Sequence, residues 1–282
     1  MQPDHDILKL HFEIPHKKGE IKVLKQQEEK QAKMGEALTL DAIVNSIDAE
    51  LIAKGTSGKG PNRGAIVRHG PYTLWAFEGP VENMTETGKK LFVNTVYYAA
   101  KQRNSPVLER KLNKSRDNLF IYLSSKGLLG TLQNYLPKEA KGKTIEQTYH
   151  WLVKNRMYLR IKGRAFEVDE LARKMNIANF KKEYLQRLIV NLRDNFEEKE
   201  SYEALVRYTG MKKNGHSTQL WQKWFDENRD YLFFSDTQGS KYLIDTEAKA
   251  KGITTAKFRN WSSEELNFRV DPGIKILKEK AK

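Results

Sequence analysis

The sequence predicts an α/β domain followed by a mainly α-helical domain. Between Gly64 and Ala100, two strand-like runs precede one amphipathic helix. Asn104-Ser105-Pro106 is typical of a linker, and the patterns after it are helices separated by short loops that contain glycine or proline. We therefore expect domains at residues 1–105 and 106–248, and a polar tail at residues 249–282.

A hairpin and a helix form the centre of the first domain. Ala65-Ile66-Val67 and residues 72–77 predict two strands, and the Gly70-Pro71 pair between them predicts a turn. Thr85 stands where a helix N-cap belongs, because its hydroxyl can accept a hydrogen bond from an otherwise unpaired backbone amide. The apolar spacing then predicts a helix whose buried stripe contains Leu91, Phe92, Thr95, Val96 and Ala99.

The segment PDHDILKLHFEI, from Pro3 to Ile14, resembles the HPI-containing segment of ThuA-like proteins, with Asp6 where proline is usual. Residues 48–100 are similar to the closing strands and last helix of those domains. ThuA-like proteins are a branch of the class I glutamine amidotransferase-like fold, so the resemblance implies a partial Rossmann-like αβα layer. Because about 105 residues are too few for a doubly wound sheet of ~150–200 residues, the resemblance also implies that the earlier strands and helices of that fold are missing.

Few residues in the first domain are candidates for chemistry. The chain has no cysteine, which excludes the cysteine nucleophile of the amidotransferase branch. His5, His69 and Glu78 remain as pocket candidates, and a hydrolase or carbohydrate enzyme would need an acid–base pair among them. A structural or surface histidine is the simpler interpretation, because the sequence supplies no partner carboxylate or metal-ligand spacing. We assign no catalytic residue, metal site or cofactor.

The positive charge of the chain is concentrated in its middle third. The net charge is +14, and residues 106–193 carry 19 Lys and Arg against 8 Asp and Glu. A local excess of this kind can attract an acidic protein surface or another polyanion, although a solvated helical surface would have the same composition. The candidate anion-binding residues are Arg156, Arg160, Lys162, Arg164, Lys181, Lys182 and Arg187.

Two helices within this segment resemble a DNA-reading helix-turn-helix. The pattern predicts a helix from Val168 to Met175 with Asp169 as its N-cap, a turn over residues 176–179, and a second helix that ends at Leu192. Lys182 falls where an apolar core residue would be expected. Two packed helices of an ordinary bundle would show the same pattern, so both interpretations stay open.

The segment from Ser201 to Ile244 resembles the R-Y-T-G…W-x-x-W…N-R-D-Y-L-x-F-S-D region that follows helical or HEAT-like parts of uncharacterised bacterial proteins. Its apolar spacing predicts two helices, of which the second contains Trp221 and Trp224. A small hairpin is expected around residues 236–239.

These patterns favour a non-catalytic binding or scaffold protein in which a ThuA-like remnant is joined to a basic helical interaction region. The alternatives are a nucleic-acid-binding protein that uses residues 106–193, and a hydrolase or carbohydrate-metabolism enzyme of the ThuA-like group. No run approaches the roughly 18 apolar residues that span a bilayer, so we expect no membrane partner. The N-terminal residues lack a signal-peptide pattern. We expect a cytoplasmic protein, or an exported one if the true start lies upstream.

Overall fold

The computed structural model describes residues 4–25, 38–39, 46–57, 60–77, 79–109, 115–116, 119, 122–123, 129–163, 165–211 and 217–259. These residues form a mixed helix-and-strand protein with three small sheets. Backbone packing divides the chain into two compact units, Met1–Leu108 and Glu109–Lys282. Within the described ranges, no helix has the length and apolar character that a membrane crossing requires.

The first unit contains a four-stranded antiparallel sheet. Its strands are β1 (Leu38–Thr39), β2 (Ala49–Ser57), β3 (Gly60–His69) and β4 (Tyr72–Trp75). Strand β3 pairs with β2, and it also pairs with β1 and β4 through different parts of its length. The predicted hairpin is confirmed, since β3 and β4 are antiparallel neighbours on either side of Gly70-Pro71.

The pairing of these strands differs from that of a Rossmann-like sheet, which is built mainly of parallel strands. Every described pairing in the first unit is antiparallel. The connections explain the difference, because parallel neighbours need a crossover of a dozen or more residues. Two residues join β3 to β4, and two residues separate β2 from β3.

Helix α1 (Glu86–Lys101) also belongs to the first unit, and it begins at the N-cap that the sequence predicted. The hydroxyl of Thr85 accepts a hydrogen bond from the amide of Gly88 at 2.9 Å. The buried stripe is partly different from the predicted one, because Val96 is 53% exposed and Asn94 is buried. The side-chain amide of Asn94 donates to the carbonyls of Ile7 and Phe12, so its polar atoms are satisfied inside the unit.

The segment that contains Val23 is in close contact with the start of α1. The carbonyl of Val23 accepts a hydrogen bond from the amide of Thr85 at 2.9 Å. A Cβ atom at Gly88 would lie 2.2 Å from that carbonyl oxygen. Glycine at this position therefore permits the contact between the crossing segment and the helix.

The second unit combines helices with two hairpins. Its helices are α2 (Leu129–Tyr135), α3 (Ile145–Asn155), α4 (Glu170–Met175), α5 (Lys182–Arg193), α6 (Glu198–Thr209), α7 (Thr218–Asn228), α8 (Thr246–Ala250) and α9 (Thr255–Arg259). The hairpins are β5 (Leu159–Lys162) with β6 (Ala165–Val168), and β7 (Leu232–Ser235) with β8 (Lys241–Ile244). The predicted Asp169 cap and the predicted hairpin around residues 236–239 are confirmed.

One structural unit occurs twice in this part of the chain, as module 1 (residues 144–181) and module 2 (residues 217–257). Each module opens with an 11-residue helix that a hydroxyl side chain caps. Each helix ends at a buried asparagine whose side-chain amide donates to the carbonyl of a tryptophan four residues earlier. These bonds are Asn155 to Trp151 at 2.9 Å and Asn228 to Trp224 at 2.7 Å.

The agreement continues through the hairpin and the short helix that follow. Asp169 and Asp245 cap α4 and α8 by accepting the amides of Ala172 and Ala248 at 3.0 and 3.1 Å. Their own amides donate to the carbonyls of Tyr158 and Tyr231. A residue with positive φ follows each short helix, Asn176 directly after α4 and Gly252 two residues after the end of α8. The two segments therefore share their hydrogen bonds as well as their element order.

The described part of the predicted polar tail contains the end of α8 and the whole of α9. Helix α9 extends to Arg259, whose guanidinium donates to Asp245 at 2.9 Å and to Glu247 at 2.6 Å. These contacts attach the end of α9 to the start of α8. A composition dominated by charged residues did not reveal them.

We expect Gly88→Ala to destabilise the first unit by about 1–3 kcal/mol, the usual cost of overpacking. The added methyl group would collide with the backbone of Val23. Gly130→Ala is the matched control, because a Cβ at Gly130 in α2 meets nothing within 4 Å. That control should be neutral or stabilising by up to about 1 kcal/mol. Urea unfolding followed by circular dichroism measures both, and equal effects would contradict the assigned contact.

Candidate functional site

Titratable side chains gather at one end of the β2–β3 pair. In the register of these strands, Glu50 faces Arg68 and Ala49 faces His69. Asp48 immediately precedes β2. We name the group formed by His5, Asp48, Glu50, Arg68, His69 and Tyr98 the acid–histidine cluster.

Glu50 is the centre of this cluster. One of its oxygens contacts Nε2 of His5 at 3.1 Å, and the other accepts from Nε of Arg68 at 3.2 Å and from the hydroxyl of Tyr98 at 2.5 Å. Burial opposes ionisation of Glu50, but these hydrogen bonds outweigh burial and lower its pKa to about 2. Burial and the contact with Glu50 raise the pKa of Tyr98. The carboxylate is therefore ionised and is a weak proton acceptor.

His5 uses both of its ring nitrogens inside the fold. Nδ1 accepts a hydrogen bond from the amide of Ile7 at 3.1 Å, which caps the 3-10 helix Asp6–Leu8. Because Nδ1 is an acceptor, Nε2 carries the hydrogen that points at Glu50. His5 is buried. It has the environment of a structural histidine, the simpler of the two interpretations of the sequence.

His69 pairs with a different carboxylate. Its Nε2 lies 3.2 Å from Oδ1 of Asp48, and its side chain is 32% exposed. Asp48 is buried, and it also accepts the hydroxyl of Ser46 at 2.9 Å and the amide of Leu108 at 2.7 Å. Asp48 thus connects the start of β2 to Leu108, the last residue of the first unit.

The structure places the three pocket candidates as follows. His5 and His69 both belong to the acid–histidine cluster, but each contacts its own carboxylate. Glu78 lies outside the described residues. Sequence reasoning missed Asp48 and Glu50. The pairing of β2 with β3 brings Asp48 to His69, whereas Glu50 contacts His5, which lies outside the sheet at the cap of the 3-10 helix Asp6–Leu8. In the described ranges, no group of three or more His, Asp or Glu residues could hold a metal ion.

A cavity of about 220 Å³ also lies in the first unit, apart from this cluster. Its wall is formed by Gly19, Glu20, Ile21, Val23, Ala53, Lys54, Ile66, Phe77 and Leu91. Most of these side chains are apolar, and four of the residues belong to the hydrophobic core of the unit that also contains Ile7 and Leu8. No residue of the acid–histidine cluster lines the cavity.

The second unit buries a complete arginine–carboxylate pair. Arg116 is fully buried, and its guanidinium donates to both oxygens of Asp236 at 2.7 and 2.8 Å. It also donates to the carbonyl of Arg156 and lies about 5 Å from the ring centres of Phe180 and Phe234. Such a pair holds segments together, because removing one partner would leave a buried charge uncompensated.

A second buried network surrounds Asp169. Oδ2 of Asp169 accepts hydrogen bonds from the hydroxyls of Tyr184 at 3.0 Å and Tyr208 at 2.5 Å. Asn179 joins this network by donating to the Tyr208 hydroxyl at 3.0 Å. Burial and the neighbouring Asp169 raise the pKa values of Tyr184 and Tyr208, so both hydroxyls stay protonated. The two tyrosine hydroxyls therefore donate to Asp169, and burial keeps them from contact with a substrate in solution.

Three of the seven predicted anion-binding residues have partners within the fold that engage their charged groups. Arg160 and Lys162 both pair with Glu167. Lys182 donates to the carbonyl of Arg229, and burial lowers its pKa. Arg156 is half-buried, and Arg164 lies outside the described residues. Only the remaining two residues, Lys181 and Arg187, are exposed without an ion pair to any described residue.

A second set of exposed lysines was not singled out from the sequence. Lys138, Lys141 and Lys143 lie on the 3-10 helix Lys138–Ala140 and on the turn that leads into α3. All three are exposed and make no ion pair with described residues. We name them the basic turn. Their spacing within six residues would have been a usable signal in the sequence.

No protein-family model matches the chain, and neither a curated protein nor a solved structure matches it. The function is therefore inferred from geometry and charge.

We expect Glu50→Gln to destabilise the protein at neutral pH and to reduce its sensitivity to acid. The pKa of Glu50 falls from an ordinary value of 4.5 to about 2 on folding. Its ionised form therefore stabilises the fold above pH 4.5, and this contribution is lost as the pH falls toward 2. Urea unfolding across that range should show the wild type and the variant converging.

Glu13→Gln is the control for this experiment, because Glu13 is exposed and has no ion pair within the described part of the chain. A constant difference between wild type and Glu50→Gln down to pH 2 would show that the assigned hydrogen bonds do not hold the charge.

Proposed function

We propose that the chain is a non-catalytic binding protein whose second unit contacts an anionic partner through the basic turn. The observation that supports the proposal most is the contrast between two kinds of polar group. The buried titratable groups are occupied by partners inside the fold, whereas Lys138, Lys141 and Lys143 are exposed and unpaired among the described residues.

The balance of exposed charge supports an anionic partner. Within the described part of residues 138–193, ten Lys or Arg side chains are exposed against four Asp or Glu side chains. Four of the ten pair with a carboxylate: Lys162, Arg173, Lys174 and Arg193. The other six have no ion pair to a described residue: Lys138, Lys141, Lys143, Lys154, Lys181 and Arg187. Unneutralised cations attract polyanions over a distance set by the ionic strength.

A hydrolase or carbohydrate enzyme of the ThuA-like group is less well supported. Such an enzyme needs a group that can accept or deliver a proton to substrate. Glu50 accepts hydrogen bonds from three donors and has a pKa of about 2, and both ring nitrogens of His5 make contacts inside the fold. The Rossmann-like layer implied by that resemblance also conflicts with the antiparallel sheet, so the proposal does not rely on it.

Nucleic acid is one polyanion that the basic turn would attract, but base-specific reading by α4 and α5 is not favoured. A DNA-reading helix-turn-helix joins its helices with a turn of about three or four residues. Six residues, 176–181, separate α4 from α5 here, and α4 itself has only six residues. We therefore propose recognition of charge rather than of sequence.

Titration with heparin and with duplex DNA over a range of salt concentrations tests this function. Binding should weaken steeply with salt, because each neutralised phosphate releases counterions. The triple variant Lys138→Gln, Lys141→Gln, Lys143→Gln should reduce the slope of log K against log salt for DNA by about 2–3, at roughly 0.9 per lost contact.

The control is the triple variant Lys162→Gln, Arg173→Gln, Lys174→Gln, which removes the same formal charge from cations that already have carboxylate partners. It should change the slope much less. Equal slopes for the two triple variants, or no binding at low salt, would refute the basic turn as the contact surface.

A further inference from the structure

The two modules of the second unit also match in sequence. Residues 144–162 align with 217–235, and residues 165–181 align with 241–257, so that the alignment changes offset only at the hairpin turn. The identical pairs are Trp151 and Trp224, Asn155 and Asn228, Arg156 and Arg229, Tyr158 and Tyr231, Leu159 and Leu232, Asp169 and Asp245, Ala172 and Ala248, Ile177 and Ile253, and Lys181 and Lys257. Several of these residues make the shared hydrogen bonds.

We infer that the modules are two copies of one duplicated unit, and we propose that the exposed face of α3 in module 1 binds the same face of a second copy of this chain. The duplication makes the two faces directly comparable. At an exposed position where the two modules carry different residues, the fold that they share does not depend on which residue is present.

The exposed face of α3 is apolar at positions where module 2 is polar. Ile145 and Val153 on α3, and Met157 on the 3-10 helix Arg156–Tyr158 that follows it, are 54%, 47% and 42% exposed. Their equivalents in module 2 are Thr218, Asp226 and Asp230. Module 2 forms the same helix, hairpin and cap with these polar residues, so folding does not need apolar side chains there. Exposed apolar side chains grouped along a helix and the 3-10 turn after it are typical of an interaction surface.

The charges beside this face indicate a second copy as the partner. Glu146 near the start of α3 and Lys154 near its end are both exposed, eight residues or about 12 Å apart along the helix. If two α3 helices pack antiparallel about His150, Glu146 of each chain faces the partner subunit's Lys154, and a two-fold axis forms the contact twice. Module 2 lacks this complementarity, since its equivalents are Gln219 and Glu227.

Sedimentation velocity over a concentration series tests the proposal by charge reversal. Glu146→Lys should weaken self-association by about tenfold or more, because it sets two like-charged pairs across the axis. Lys154→Glu should do the same. The double variant Glu146→Lys, Lys154→Glu restores both pairs and should return the dimer to within about threefold of the wild-type affinity. A wild type that stays monomeric, or a double variant as weak as the single variants, would overturn the proposal.

A second variant tests the apolar part of the face. The triple variant Ile145→Thr, Val153→Asp, Met157→Asp gives α3 and the 3-10 helix after it the residues of module 2, and it should abolish the dimer. Because module 2 carries these residues in the same fold, circular dichroism and thermal unfolding should stay close to wild type. Leu220→Gln is the control, since Leu220 is an exposed apolar residue of module 2 whose equivalent is Gln147. A dimer that survives the triple variant would refute the contact.

This proposal can fail independently of anion binding. The variants of α3 keep Lys138, Lys141 and Lys143, so a monomeric variant should still bind heparin with a salt-dependent affinity.

Discussion

The architecture of the second unit depends on two buried carboxylates, Asp169 and Asp245. A buried carboxylate is tolerated only where several donors surround it. Each of these aspartates caps the short helix after a hairpin, and each also accepts donors from later helices. Those donors are the hydroxyls of Tyr184 and Tyr208 for Asp169, and the guanidinium of Arg259 for Asp245. One side chain thus fixes the relation between a hairpin, the helix after it and a more distant helix.

The same requirement explains why so few of the titratable groups are candidates for chemistry. Glu50, Asp169 and Asp236 each accept hydrogen bonds from at least two side chains of the same unit. A group in that position contributes to stability and to a unique arrangement of segments, and it has little capacity left for a substrate. The exposed residues, such as Lys141 and Ile145, are then the part of the molecule where a binding function can be sought.

Local patterns predicted local structure well. Turn residues and cap residues act within a few positions, so the hairpin at Gly70-Pro71 and the caps at Thr85 and Asp169 could be read from the sequence. Partners distant in the chain could not. Glu50 on β2 contacts His5, which lies 45 residues earlier at the cap of a 3-10 helix, and Asn94 is buried because its amide satisfies distant carbonyls.

The duplicated module was also not apparent from periodicity. Only nine of the aligned pairs are identical, and most of these residues are buried or bonded within the fold. The hydrogen bonds that the two modules share are a clearer mark of their relation than their composition.

A long-range hydrogen bond also determines where the first unit can be cut, since the carboxylate of Asp48 accepts the amide of Leu108. An excised first unit that stopped at residue 105 would leave that oxygen without its donor, so the natural cutting point for a stable fragment lies beyond Leu108.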